Sequence, residues 1–176
     1  AADFSASQSY AIGAALHYLN QPVTESVIVS SVVSGSPADK KLEPKDTITA
    51  VDGNPISTTT QVVSAVRGKD VGATTVFTIV RSGVTQEVSL VSQARKDDPT
   101  TSENEAGIPY VGIGVDTLYV APFTIEFGLR DVGGPSAGMM FSIAIIDKLT
   151  PGELTTGKTI AGTGTIDPDG KVGPIG

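Results

Sequence analysis

Apolar residues recur at Ala11, Ile12, Ala15, Leu16 and Leu19. This i, i+3, i+4 spacing predicts an amphipathic helix over residues 5–19, with Ser5 or Ser7 as N-cap and Pro22 ending it. From Glu25 to Gln93 the period changes to short β-branched runs. SVIVSSVV, DTITAVDG, TTVFTIV and QEVSLV predict four strands, the last two joined by a turn at Arg81-Ser82-Gly83. Ser36-Pro37 punctuates the chain after the first strand, and Asp52-Gly53-Asn54 is a tight turn of the kind that needs positive φ. One helix is predicted between the strands, Thr58 to Arg67, with Val62, Val63 and Val66 on one face and Gly68 to terminate it.

Residues 93–107 (QARKDDPTTSENEAG) hold no apolar side chain larger than alanine, so burial cannot offset their ordering entropy and they read as a linker. Beyond it the pattern predicts strands at Tyr110–Val120 and Phe123–Leu129, a helix at Pro135–Leu149, and short strands near Thr159–Gly164 and Lys171–Ile175. The division is a leading helix at 1–24, a first domain at 25–93, a linker at 94–107 and a second domain at 108–176. The fold class is α+β.

Charge and residue usage then remove whole classes of function. A net charge of −7 lacks the broad basic footprint of a nucleic-acid binder. The absence of cysteine excludes disulfides, thiolate catalysis and cysteine-based zinc sites. His17, the single histidine, leaves a Ser-His-Asp triad and a histidine metal site short of parts, and it receives no role. No metal and no cofactor is expected. The longest apolar run, Met139 to Ile146, is interrupted by Ser142 and falls short of a membrane span. The chain opens Ala1-Ala2-Asp3 with no signal-peptide pattern, and it is expected to be a piece of a longer protein.

Two blocks carry chemistry. In the first, Ser36-Pro37-Ala38, Leu42, Asp46-Thr47-Ile48 and Val51-Asp52-Gly53 precede a helix. This block, about residues 25–93, resembles the PDZ domain of bacterial proteases. The resemblance implies a peptide ligand that adds a strand to an open sheet edge beside Thr58–Arg67. The glycine loop and strand that capture a ligand carboxylate should precede Val27, where only Ile12-Gly13 offers a remnant.

The second block is Gly133-Gly134-Pro135-Ser136-Ala137-Gly138. Glycine ahead of proline at the first helical position sets the Ser136 hydroxyl in the opening turn, where unpaired N–H groups and the positive dipole end favour an oxyanion. Leu149-Thr150-Pro151, Thr159 to Ile166, Asp169-Gly170 and Val172-Gly173-Pro174-Ile175-Gly176 follow. In that order they resemble the proteolytic domain of Lon-type proteases, and with the PDZ block ahead of them they resemble the membrane-anchored, Lon-like PDZ proteases of bacteria. The resemblance implies a serine endopeptidase of the Ser–Lys dyad type that cleaves unfolded or extended polypeptide, with Ser136 as catalytic nucleophile. It also implies a general-base lysine beyond Gly176, an anchor upstream, the extracytoplasmic side of the membrane and a homo-oligomer. The residues present are then expected to be inactive alone. Lys148, Lys158 and Lys171 read as solvated, and Asp131 takes no auxiliary role. A rival reading is a non-catalytic PDZ adaptor with a degenerate Lon-like domain. Gly152 to Thr159 matches a phosphate-cradling loop, but the helix before it and the strand-like segment after it are the wrong context, and no ATPase module is read.

Overall fold

A computed structural model describes residues 2–96, 105–127, 134–152 and 154–175, with side chains from residue 6 onward. The chain forms two compact units, Ser26–Thr117 and a second one made of Ala1–Glu25 with Leu118–Gly176. The fold is mixed α/β around an antiparallel sheet.

The Ser26–Thr117 unit is built on a sheet whose strands run in the order β5-β4-β2-β1-β8. These are β1 (Thr24–Val32), β2 (Thr47–Val51), β4 (Thr74–Arg81), β5 (Val84–Val91) and β8 (Ile113–Val120), with β3 (Asn54–Pro55) paired to β2. All four predicted strands are present. Asp52 and Gly53 hold φ of 50° and 76° between β2 and β3, and Ser82 and Gly83 hold 50° and 79° between β4 and β5. Two consecutive positive φ values match the right-handed twist of the strands they join. Alternation along the strands sends Val27, Val29, Ile48, Val51, Phe77, Ile79 and Leu90 into one core with Ala38, Leu42, Val62 and Val66. Beneath it, Asp46 is held by Arg81, whose Nε and Nη2 donate to its two carboxylate oxygens at 2.7 and 2.6 Å.

Helix α2 (Thr59–Arg67) starts where Thr58 and the Gln61 side chain cap one another reciprocally. It ends at Gly68, whose N–H donates to the Ser64 carbonyl at 2.9 Å. Short strands β6 (Gln93–Ala94) and β7 (Pro109–Tyr110) pair antiparallel. This pairing places the described ends of the expected linker inside the unit, and the strand expected to open a second domain belongs mostly to this one. Residues 97–104 of that linker lie outside the described residues.

In the other unit, α1 (Ala2–Tyr18) packs on α3 (Gly138–Leu149) through a core of Ala11, Ala15, Ala137, Phe141 and Ile145. Alanines in α1 let the two helices approach, and the Phe127 and Phe141 rings meet edge to face at 4.8 Å. Gly13 belongs to this packing and not to a ligand loop. A Cβ there would lie 2.8 Å from the Tyr119 ring, so glycine is what the close approach requires. His17 sits at the helix end, its Nδ1 3.0 Å from the Pro168 carbonyl and its Nε2 3.4 Å from Glu25. The strand expected at Phe123–Leu129 is absent from Phe123 to Phe127, and the remainder lies outside the described residues. The final pair is β9 (Thr165–Ile166) with β10 (Val172–Gly173), so the first of them begins after Thr159–Gly164. No helix among the described residues is long and apolar enough to cross a membrane.

Candidate functional site: an edge-strand groove beside α2

The Ser26–Thr117 unit carries a groove of about 100 Å³ between α2 and the chain from Ile108 to Val115. Val62, Val63 and Val66 form its helix wall, while Ile113 and Val115, two residues apart on β8 and therefore on one face, form its strand wall. The volume is well below the ~300–1,000 Å³ of a drug-sized ligand site and suits one aliphatic side chain at a time. β8 is also the last strand of the sheet, and among the described residues no strand pairs with its outer edge. An apolar wall next to an unpaired backbone edge is what an extended peptide needs.

Two glycines bring β8 to this position. Gly112 has φ of 84°, and a Cβ on it would fall 2.1 Å from the Ser36 side chain. A Cβ on Gly114 would fall 2.5 Å from the Ser31 hydroxyl oxygen. The Gly112 carbonyl accepts from the Val33 N–H at 2.9 Å, and the Val111 carbonyl accepts from the Ala38 N–H at 3.0 Å. The Ser36-Pro37-Ala38 segment thus anchors the start of the groove strand. The sequence signal was Val111-Gly112-Ile113-Gly114, a glycine on alternate positions of an apolar run. The expected location, before Val27, is corrected: the groove strand follows the rest of the unit in the sequence instead of leading it.

Charge gathers at one end of the groove. Arg67, in the last turn of α2, and Arg95 both line it. The Arg95 guanidinium stands 5.5 Å from the centre of the Tyr110 ring. The Glu105 carboxylate pairs with both, with the Arg67 Nη2 through one oxygen and with the Arg95 Nη1 through the other at 2.5 Å.

Ser136 lies in the other unit, in a 3₁₀ turn at Pro135–Ala137 that leads into α3. Gly134 has φ of 90°, Pro135 occupies the first helical position, and the Ser136 side chain is half-buried. The Ser136 carbonyl accepts from the Gly164 N–H at 2.7 Å and from the Thr163 hydroxyl at 3.1 Å, while the Met139 N–H donates to the Gly164 carbonyl at 3.0 Å. A Cβ on Gly138 would press on Ile166 and Ser7 at 3.1 Å. Ser136, Gly138 and Met139 thus pin this turn against residues 163–166. Lys148, Lys158 and Lys171 are exposed, and no described lysine pairs with Ser136. Asp131 and Gly133 lie outside the described residues. Among the described residues, Gly152 to Thr159 comes after α3, with no strand leading into it and no helix from Thr159 to Gly164, the strand and helix that a phosphate loop requires. Among the described residues no group of histidine and carboxylate side chains is placed to hold a metal.

Residues 11–91 match the family model of the PDZ domain. The chain carries a PDZ domain, and the groove strand lies beyond the matched stretch. Among solved structures, the chain is similar to the PDZ domain of the SdrC-like protein of Listeria monocytogenes. That likeness has 26% identity over 51% of this chain and 86% of that one, with a TM-score of 0.43. A Geobacillus thermodenitrificans protein solved in solution is 40% identical over 40% of this chain and 80% of its own, with a TM-score of 0.37. No curated protein matches the sequence.

Proposed function

We propose that the PDZ domain captures extended polypeptide by adding it as a strand to the outer edge of β8. The observation that carries this reading is the coincidence of that unpaired edge with the valine face of α2 across a narrow groove. Main-chain hydrogen bonds give the affinity, and the pocket between Val66 and Ile113 selects an aliphatic side chain. Val63 is the site for a test, because it lines the groove and is more than one-third exposed, so a larger polar side chain there leaves the core intact. Val63→Arg is expected to weaken binding of a fluorescein-labelled pool of extended apolar peptides by about tenfold or more at unchanged melting temperature. Unchanged binding sinks the reading.

The Ser136 turn favours a second, wider reading, in which the parent protein is an ATP-independent, Lon-like serine endopeptidase with polypeptide substrates. Ser136 is its nucleophile, at a helix start that can supply backbone N–H donors to an oxyanion. A lysine outside the described residues acts as general base, neutral at working pH through desolvation beside the serine. In this reading the PDZ groove delivers or regulates substrate. The membrane anchor, the extracytoplasmic location and assembly into a homo-oligomer belong to the same proposal and rest on the motif resemblance. The non-catalytic adaptor is the outcome if Ser136 proves dispensable.

A further inference from the structure

We propose that Glu105 is a specificity-determining residue of the groove: its carboxylate occupies Arg67 and Arg95 in the empty state and yields to an anionic end of the bound peptide. This rests on the reading of the groove as a peptide site. The chain has 12 Lys and Arg against 19 Asp and Glu, yet two arginines meet at one end of one apolar groove, from the last turn of α2 and from the segment after β6. Both side chains stay partly open to solvent, Arg67 at 44% and Arg95 at 31%. Between them the Glu105 side chain is 16% exposed and offers one oxygen to each. A carboxylate is thus already the preferred occupant of this position.

Glu105 is carried on a short turn in which Gly107 takes φ of 81° and the Ile108 N–H donates to the Glu105 carbonyl at 3.3 Å. The turn leads straight into the groove wall at Ile108. A peptide lying along β8 with its carboxylate at this end meets two guanidinium groups whose charge-assisted hydrogen bonds are transferable from one carboxylate to another. An uncharged end gains nothing by displacing Glu105 and leaves it in place. The residue therefore sets a threshold: apolar side chains make contact along the groove, but only an anionic end replaces both ion pairs. A strut that merely held the turn would affect all ligands alike.

The test uses one pool of fluorescein-labelled octapeptides of valine, leucine and alanine, prepared with free C-terminal carboxylates and again as amides. The wild-type chain is expected to bind the acid pool about tenfold more tightly than the amide pool. Glu105→Gln strengthens acid binding by about a further tenfold and leaves amide binding within about twofold, since it removes only the internal competitor. Arg67→Gln, on an exposed helix end and so safe for folding, abolishes the preference for the acid. Equal binding of acid and amide by the wild-type chain, or an equal shift of both in Glu105→Gln, overturns the assignment. Failure of either pool to bind any of the three proteins overturns the groove reading itself and the role of Glu105 with it.

Discussion

Asp46→Ala is expected to cost the PDZ domain about 3 kcal/mol of unfolding free energy, a large share of the ~5–15 kcal/mol that holds a domain together. The Asp46 side chain is 1% exposed and accepts from Arg81 through both oxygens and from the Glu43 N–H at 2.8 Å. Truncation leaves that N–H and the guanidinium without their buried acceptor. Arg81 retains Glu43 at 3.0 Å and the Lys41 carbonyl at 3.0 Å and is 26% exposed, which holds the loss at the low end of the range for a broken buried pair. Urea unfolding decides the point, and a loss below about 1 kcal/mol contradicts the assignment of Asp46 as the buried partner that fixes β4 beneath the core.

The same pair gives the domain an acid limit. Burial pushes the Asp46 carboxyl up, but the Arg81 hydrogen bonds, the Glu43 N–H and the Arg81 charge outweigh it, and the group titrates below its ordinary value of 3.8. Asp52 is lowered in the same way: burial pushes it up, and the Lys69 hydrogen bond, the Val76 N–H and the Lys69 charge outweigh it. Both groups bind protons more weakly folded than unfolded. Their stabilisation is therefore complete above about pH 4 and is lost as pH falls through the folded values. In Asp46→Ala the acid side of the stability profile flattens correspondingly.

Ser136→Ala, made in the natural full-length protein, is expected to reduce ATP-free turnover of an unfolded polypeptide by about 10⁶-fold, the scale of losing a serine nucleophile. The substitution removes one oxygen from a half-buried turn whose hydrogen bonds run through backbone groups, so the fold is retained. Peptide binding by the PDZ domain is unchanged in the same variant. Turnover at the wild-type rate contradicts the nucleophile and leaves the adaptor reading.

Where local chemistry decided the structure, the sequence was legible. The helix ending at Gly68, the two tight turns and the alternating strands of the PDZ core follow from spacing and residue type alone. The groove strand was misplaced because Gly112 and Gly114 acquire their meaning only from Ser36 and Ser31, far away in the chain. Gly13 posed the converse problem: a small residue in a helix is silent about its partner, here the Tyr119 ring. The linker reading of residues 93–107 rested on the lack of apolar side chains. Glu105 and Arg95 are instead held by charge and by backbone pairing. The strand expected at Thr159–Gly164 is β-prone in composition, but its far end is committed to the Ser136 turn through the Thr163 hydroxyl and the Gly164 N–H. Ser136 itself was singled out by its flanking glycines and proline, which shape the turn whatever its chemistry.

The central claim is that extended peptide joins the sheet at β8, and backbone amide hydrogen exchange during titration with the acid peptide pool tests it most directly. Strand addition predicts new protection on alternate amides from Ile113 to Val115, the outward-facing set of an edge strand, with smaller changes along Val62 to Arg67. Protection arising instead along the opposite edge, from Val84 to Val91, or nowhere in the PDZ domain while peptide is bound, contradicts the account.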